Sequence, residues 1–87
     1  MLFAVWLTVV DKEKHQQSRP DHLRYLNEWQ SQGKIFAAGP FADAQGGLVI
    51  YQVDSLQEGR RLAENDPAVT SGARSWIGKE WNILSFN

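Results

Sequence analysis

The first ten residues carry almost no polar interruption. Leu2 to Val10, LFAVWLTVV, is rich in β-branched and aromatic side chains, and such a run predicts a central strand covered on both faces. The next stretch, Asp11 to Gln17, is polar and reads as a loop. Pro20 then suits the first turn of a helix, where its missing N–H costs nothing, so a helix is expected from about Pro20 to Gln32. Leu23, Leu26 and Trp29 recur on one side of it, Arg24, Asn27, Glu28 and Ser31 on the other. Gly33 is placed to end it in the left-handed conformation.

Two short apolar runs follow. Lys34 to Gly39 is bounded by Gly-Pro and reads as a second strand, and Gly47 to Val53 as a third, with FADAQGG between them as a turn. Their closeness predicts an antiparallel pair, with Gly46-Gly47 as the hairpin turn. Ser55 and Glu58 form a capping box that starts a second helix, ending near Asn65 because Pro67 disfavours helical geometry at Asp66. Leu56, Gly59, Leu62 and Ala63 are expected on its inner face. An irregular PAVTSGA leads to a last strand around Arg74 to Leu84, on which Trp76 and Trp81 fall on opposite faces.

The order is βαββαβ. It predicts an α+β, ferredoxin-like fold: a four-stranded antiparallel sheet with two helices on one face, as one domain over residues 1–87. The other face of such a sheet is bare in a monomer. Apolar residues of both parities in the first strand imply a cover, and a second copy of the sheet is the simplest one. Four tryptophans, four phenylalanines and two tyrosines in 87 residues agree with a homodimer, because a chain this short buries little surface alone.

Charge and composition narrow the function. A net charge of −1 with nine scattered Lys and Arg offers no footprint for a nucleic-acid backbone. No apolar run reaches the roughly 20 residues a membrane-spanning helix needs, and the opening strand lacks the basic start of a signal peptide. With no cysteine the expectation is a cytoplasmic protein without thiolate metal sites. No P-loop, dinucleotide fingerprint, zinc motif or serine-nucleophile signature is present. His15 and His22 show no spacing that would call for a metal.

One constellation remains. If the two helices pack antiparallel, His22, opening the first, meets Asp66, closing the second. A carboxylate bonded to one imidazole nitrogen fixes the tautomer and raises the basicity of the other, as a general acid or base requires. The same residues have an ordinary structural reading, a polar residue in a first turn and an Asp-Pro breaker. Arg19 is either an anion anchor near the helix start or a surface residue.

The run RPDHLRYLNEWQSQGKIFAAGP, Arg19 to Pro40, with ENDPAVTSG, Glu64 to Gly72, resembles the YCII-related (YciI-like) family over almost the whole chain. The specific elements are Arg-x-x-His in the first helix, the Gly that ends it, the Ala-Gly-Pro and the later Asp-Pro. The resemblance implies a dimeric α/β barrel, with two sheets packed face to face. It also implies an active site on a His-Asp pair, matched here by His22 and Asp66, and small cyclic or aromatic acids as substrates. The loop between Pro40 and Gly47 is shorter than in many relatives, and Ala68 and Ala73-Arg74 stand where many have aromatics. Arg74 either adds a second positive group for an acidic ligand or sits in solvent. The expectation is a cofactor-independent lyase or isomerase that binds a small, anionic molecule through Arg19 and Arg74. A non-catalytic binding or assembly module is the alternative.

Overall fold

A computed structural model describes residues 1–86 of the chain. The expected order appears with one short helix added: β1 (Leu2–Val9), α1 (Lys12–Ser31), β2 (Ile35–Pro40), β3 (Gly46–Gln52), α2 (Leu56–Glu64), α3 (Pro67–Thr70) and β4 (Arg74–Trp81). The strands form one antiparallel sheet in the order β2-β3-β1-β4, the arrangement of the ferredoxin-like fold. Val5 stands opposite both Val49 and Gly78, so the first strand is central.

Alternation along β1 divides the sheet into two unlike faces. Phe3, Val5 and Leu7 point to the helices and are buried with Val49, Tyr51, Val53, Leu62 and Ala63. Trp76 packs edge-on against Phe3 from β4, with ring centroids 6.3 Å apart. Gly59 lets α2 approach this core, since a Cβ there would stand 2.7 Å from the Phe3 ring. Trp6 points the other way and is 54% exposed, beside Ile77 at 66%. Trp76 and Trp81 lie on opposite faces as their spacing predicts; the strand stops at Trp81, short of Leu84.

Helix α1 departs most from expectation. It begins eight residues before Pro20, because Asp11 caps it by accepting from the Lys14 N–H at 3.0 Å and from the His15 N–H through its carbonyl. Pro20 therefore sits inside the helix, on an exposed position, where its missing N–H leaves only the Gln16 carbonyl without its helical partner. The inner face runs through Ser18, His22, Leu26 and Trp29, while Leu23 lies outside the core and exposed. Gly33, at φ +75°, follows the C-cap as expected. Leu56 is likewise exposed, whereas Gly59, Leu62 and Ala63 face inward.

The β2–β3 turn lies in Phe41–Gln45, with Ala44 in the left-handed region, and Gly46-Gly47 open β3 instead of forming the turn. Both glycines are needed for close approach. A Cβ at Gly46 would fall on the Leu7 carbonyl, and one at Gly47 would stand 2.8 Å from the Gly39 carbonyl oxygen.

Candidate functional site

The Asp-Pro after α2 does more than break a helix. Asp66 is the N-cap of α3, with Pro67 in the first turn; its Oδ1 accepts the Ala68 N–H at 2.9 Å and its carbonyl accepts from Val69 and Thr70. This cap points the carboxylate at α1. His22 meets it there, with Nδ1 2.7 Å from Oδ1 and 2.9 Å from Oδ2. Both residues are buried, at 4% and 1% exposure.

The route differs from the one expected. His22 is in the middle of α1, nearly three turns past its start, and α3, which reads in sequence as an irregular PAVT, brings Asp66 to it. The carboxylate accepts, so Nδ1 donates and the lone pair of the neutral ring lies on Nε2. Among the described residues no hydrogen bond engages Nε2.

A partly open cavity of about 190 Å³ lies beside this pair, between α1 and the β2–β3 edge. His22 lines it; Asp66 stands behind the imidazole and does not. Leu7, Leu26 and Val49 give it apolar walls, and Gly39 and Gly47 line it from the sheet edge. Arg19 and Arg74 line the same space. Arg19 stands one turn before His22 at an exposed position. Arg74 opens β4 and is only 5% exposed, so it does not sit in solvent at the strand's start.

Three of the four candidate residues thus line one cavity, and the fourth, Asp66, holds His22 from behind. A fifth was missed. The Arg74 Nε and Nη2 lie 3.4 and 3.3 Å from Nδ1 of His15, which the sequence reading placed in a loop. The signal was its spacing: His15, Arg19 and His22 follow at i, i+4 and i+7 once the helix is extended to Asp11. Burial and the positive Arg74 and Arg19 near it, with His22, hold the His15 imidazole below its ordinary range. Burial also lowers Arg74, as does Arg19, while Asp66 draws it back up.

Two phenols stand near the buried carboxylate. Tyr25 donates to the Leu62 carbonyl at 2.7 Å, and burial above all, with Asp66 and Glu28, pushes it up to about 12 despite the opposing effect of Trp29. Tyr51 is fully buried, its hydroxyl unpartnered among the described residues; burial, then Asp66 and Tyr25, raise it as well. Both stay neutral at physiological pH.

Among the described residues no group of three or more His, Cys, Asp or Glu could hold a metal ion, and no helix is long and apolar enough to cross a membrane.

Comparison with known proteins places these features. The model of the YCII-related domain matches residues 1–82. The "Uncharacterized protein YjpA" of Bacillus subtilis (strain 168) is 32% identical over 83 residues, covering 95% of this chain and 98% of that one. Among solved structures, 5-chloro-2-hydroxyhydroquinone dehydrochlorinase (TftG) from Burkholderia phenoliruptrix AC1100, in complex with 2,5-dihydroxybenzoquinone, superposes with a TM-score of 0.79 at 24% identity over 94% of each chain. Muconolactone isomerase superposes with a TM-score of 0.75 at 18% identity, covering 100% of this chain and 99% of that one. At those identities the two structures establish the fold.

Proposed function

The chain belongs to the YCII-related domain family, and from that premise we propose that it is a small cofactor-independent enzyme, of lyase or isomerase type, that moves a proton on a small organic acid. One observation carries this reading: an imidazole at a cavity wall, with one nitrogen held by a buried carboxylate and the other free.

Asp66 holds His22 in the tautomer whose Nε2 lone pair accepts a proton from an acidic carbon; the resulting imidazolium, stabilised by the carboxylate, returns it at another position or to a leaving group. Arg19 and Arg74 bind the negative group of the substrate. The names of the two structural relatives denote an elimination and an isomerisation, and both suit a single acid–base group.

The functional unit in this reading is a homodimer. Trp6, tilted against Phe41 with centroids 4.4 Å apart, and Ile77 lie on the bare sheet face, and a second copy buries them. Ile77→Lys should turn a dimer into a monomer in light scattering; an unchanged mass would place the interface elsewhere.

The chemistry is tested in two stages. A thermal-shift screen of small ring acids identifies binders, and each binder is then incubated in D₂O while proton NMR follows exchange at its acidic carbons. Wild type should catalyse exchange, and His22→Gln should slow it by about 10²–10⁴-fold, the usual contribution of a positioned base. Binders that wild type leaves unexchanged and untransformed would sink the catalytic reading in favour of a binding module.

A further inference from the structure

The guanidinium of Arg74 is in an unusual position. It is nearly buried, yet among the described residues no carboxylate forms an ion pair with it. Such a charge is costly unless something offsets it. Its one side-chain partner is itself a cation when protonated: His15, on the helix that carries Arg19 and His22.

Arginine donates and never accepts, so the contact requires a lone pair on the His15 Nδ1. The ring must be neutral, with its proton on Nε2. Burial and the surrounding positive groups favour that neutral form. Arg74 is thereby tethered through Nε and Nη2 on one side, and among the described residues nothing bonds to Nη1. Arg19, one turn along α1 from His15, faces the same cavity.

We propose that His15 is a positioning residue: as a neutral acceptor it holds the Arg74 guanidinium against the His22 cavity, where Arg74 and Arg19 together receive the carboxylate of a single-ring acid. The proposal rests on this cavity being the substrate site and names the group it takes. The size agrees. A cavity of about 150 Å³ accommodates benzene, and the 190 Å³ here leaves room for a ring and one small charged substituent. The planar carboxylate matches the fork of a guanidinium, while the ring lies against Leu7, Leu26 and Val49. Anchoring one end of the acid in this way determines which ring carbon meets the Nε2 of His22.

The test uses benzoate and its uncharged isostere benzamide as probes, titrated by calorimetry into wild type, His15→Ala, His15→Asn and Arg74→Gln, singly and combined. Benzoate should bind wild type at least about tenfold more tightly than benzamide, as a charge-assisted contact predicts. His15→Ala should weaken benzoate about five- to tenfold and leave benzamide unchanged; His15→Asn, which keeps an acceptor oxygen, should recover most of the loss. In the Arg74→Gln background the His15→Ala effect should vanish, because its action runs through Arg74. Nitrogen-15 spectra of wild type should show His15 with its proton on Nε2.

A proton on Nδ1, or a His15→Ala loss that persists without Arg74, would overturn the positioning role even if one of the variants folds poorly. Benzoate binding no more tightly than benzamide would remove the anion site. Neither result touches the deuterium-exchange test of His22, and a failure of exchange with the anion preference intact would remove catalysis alone.

Discussion

Two imidazoles seven residues apart on α1, one lining the cavity and the other bonded to an arginine that lines it, use the same ring nitrogen in opposite ways. At one end the Nδ1 of His22 donates to Asp66 across 2.7 Å; at the other the Nδ1 of His15 accepts from Arg74 at 3.3 and 3.4 Å. Seven residues make nearly two turns, so the rings share a face about 10 Å apart along the axis. Their partners differ in kind. The carboxylate is engaged by an imidazole and a backbone N–H, whereas the buried guanidinium forms no ion pair among the described residues. A structural contact satisfies itself within the protein, and a binding contact is left to be completed by a ligand. Under the proposed reading the His22–Asp66 end stays as it is and the His15–Arg74 end receives the ligand.

The largest expected effect comes from breaking the satisfied end. Asp66→Ala removes the cap of α3 and leaves His22 buried without a partner. A lost cap costs about 1 kcal/mol and a buried bond of this type about 2, so a destabilisation of roughly 3 kcal/mol is expected. In a domain of this size that lowers the melting temperature by roughly 10–20 °C, measured at a fixed protein concentration. Asp66→Asn keeps an oxygen for the Ala68 N–H and should lose less stability, while proton exchange on a bound acid should fall as far as in His22→Gln. A change below about 1 kcal/mol for Asp66→Ala would mean that the two ends do not differ in the way described.

The opposite sign is expected at the other end. Arg74→Met fills a similar volume without a buried charge, and stability should be unchanged or higher by about 1 kcal/mol, since desolvation of the guanidinium outweighs the attraction of Asp66. Preference for benzoate over benzamide should disappear in the same variant. Urea denaturation paired with calorimetry reads both quantities. A clear loss of stability would show that Arg74 is a structural residue and that its burial is already compensated.

Much of this architecture is legible in the residues, and the parts that are not have identifiable causes. The strand order follows from the apolar runs and their turn residues, and the bare face follows from that order and from apolar residues of both parities in the first strand. The His22–Asp66 juxtaposition is also expected from topology, although by a different route. Pro20 misleads because proline commonly opens helices; here Asp11 caps an earlier start and the proline lies inside the helix on the solvent side, where water reaches the Gln16 carbonyl that it leaves unpaired. That one misplacement hides His15 and puts His22 in a first turn. The turn α3 is too short for periodicity to reveal, yet its cap aims the carboxylate. Arg74 at a strand start gives no local sign of burial; only the packing of α1 over that end of the sheet covers it.

The smallest effect, and the most selective, concerns pH. The groups acting on His15 are Arg19 and His22 from its own helix and Arg74 from β4, with burial the leading cause of its lowered value. Unfolded, the ring titrates near 6.5; folded, it holds its proton less tightly, so between 6.5 and the lower native value the unfolded chain binds more protons. The stability that depends on neutral His15 is therefore complete above 6.5 and declines as the pH falls toward the native value. Other groups titrate in the same window, so the wild-type curve alone does not isolate it. The difference between wild type and His15→Asn does: the gap should be constant above 6.5 and should shift in favour of the variant as the solution is acidified. A gap that stays constant to pH 5 would mean that His15 titrates alike in both states, and the asymmetry between the two ends would then rest on Arg74 alone.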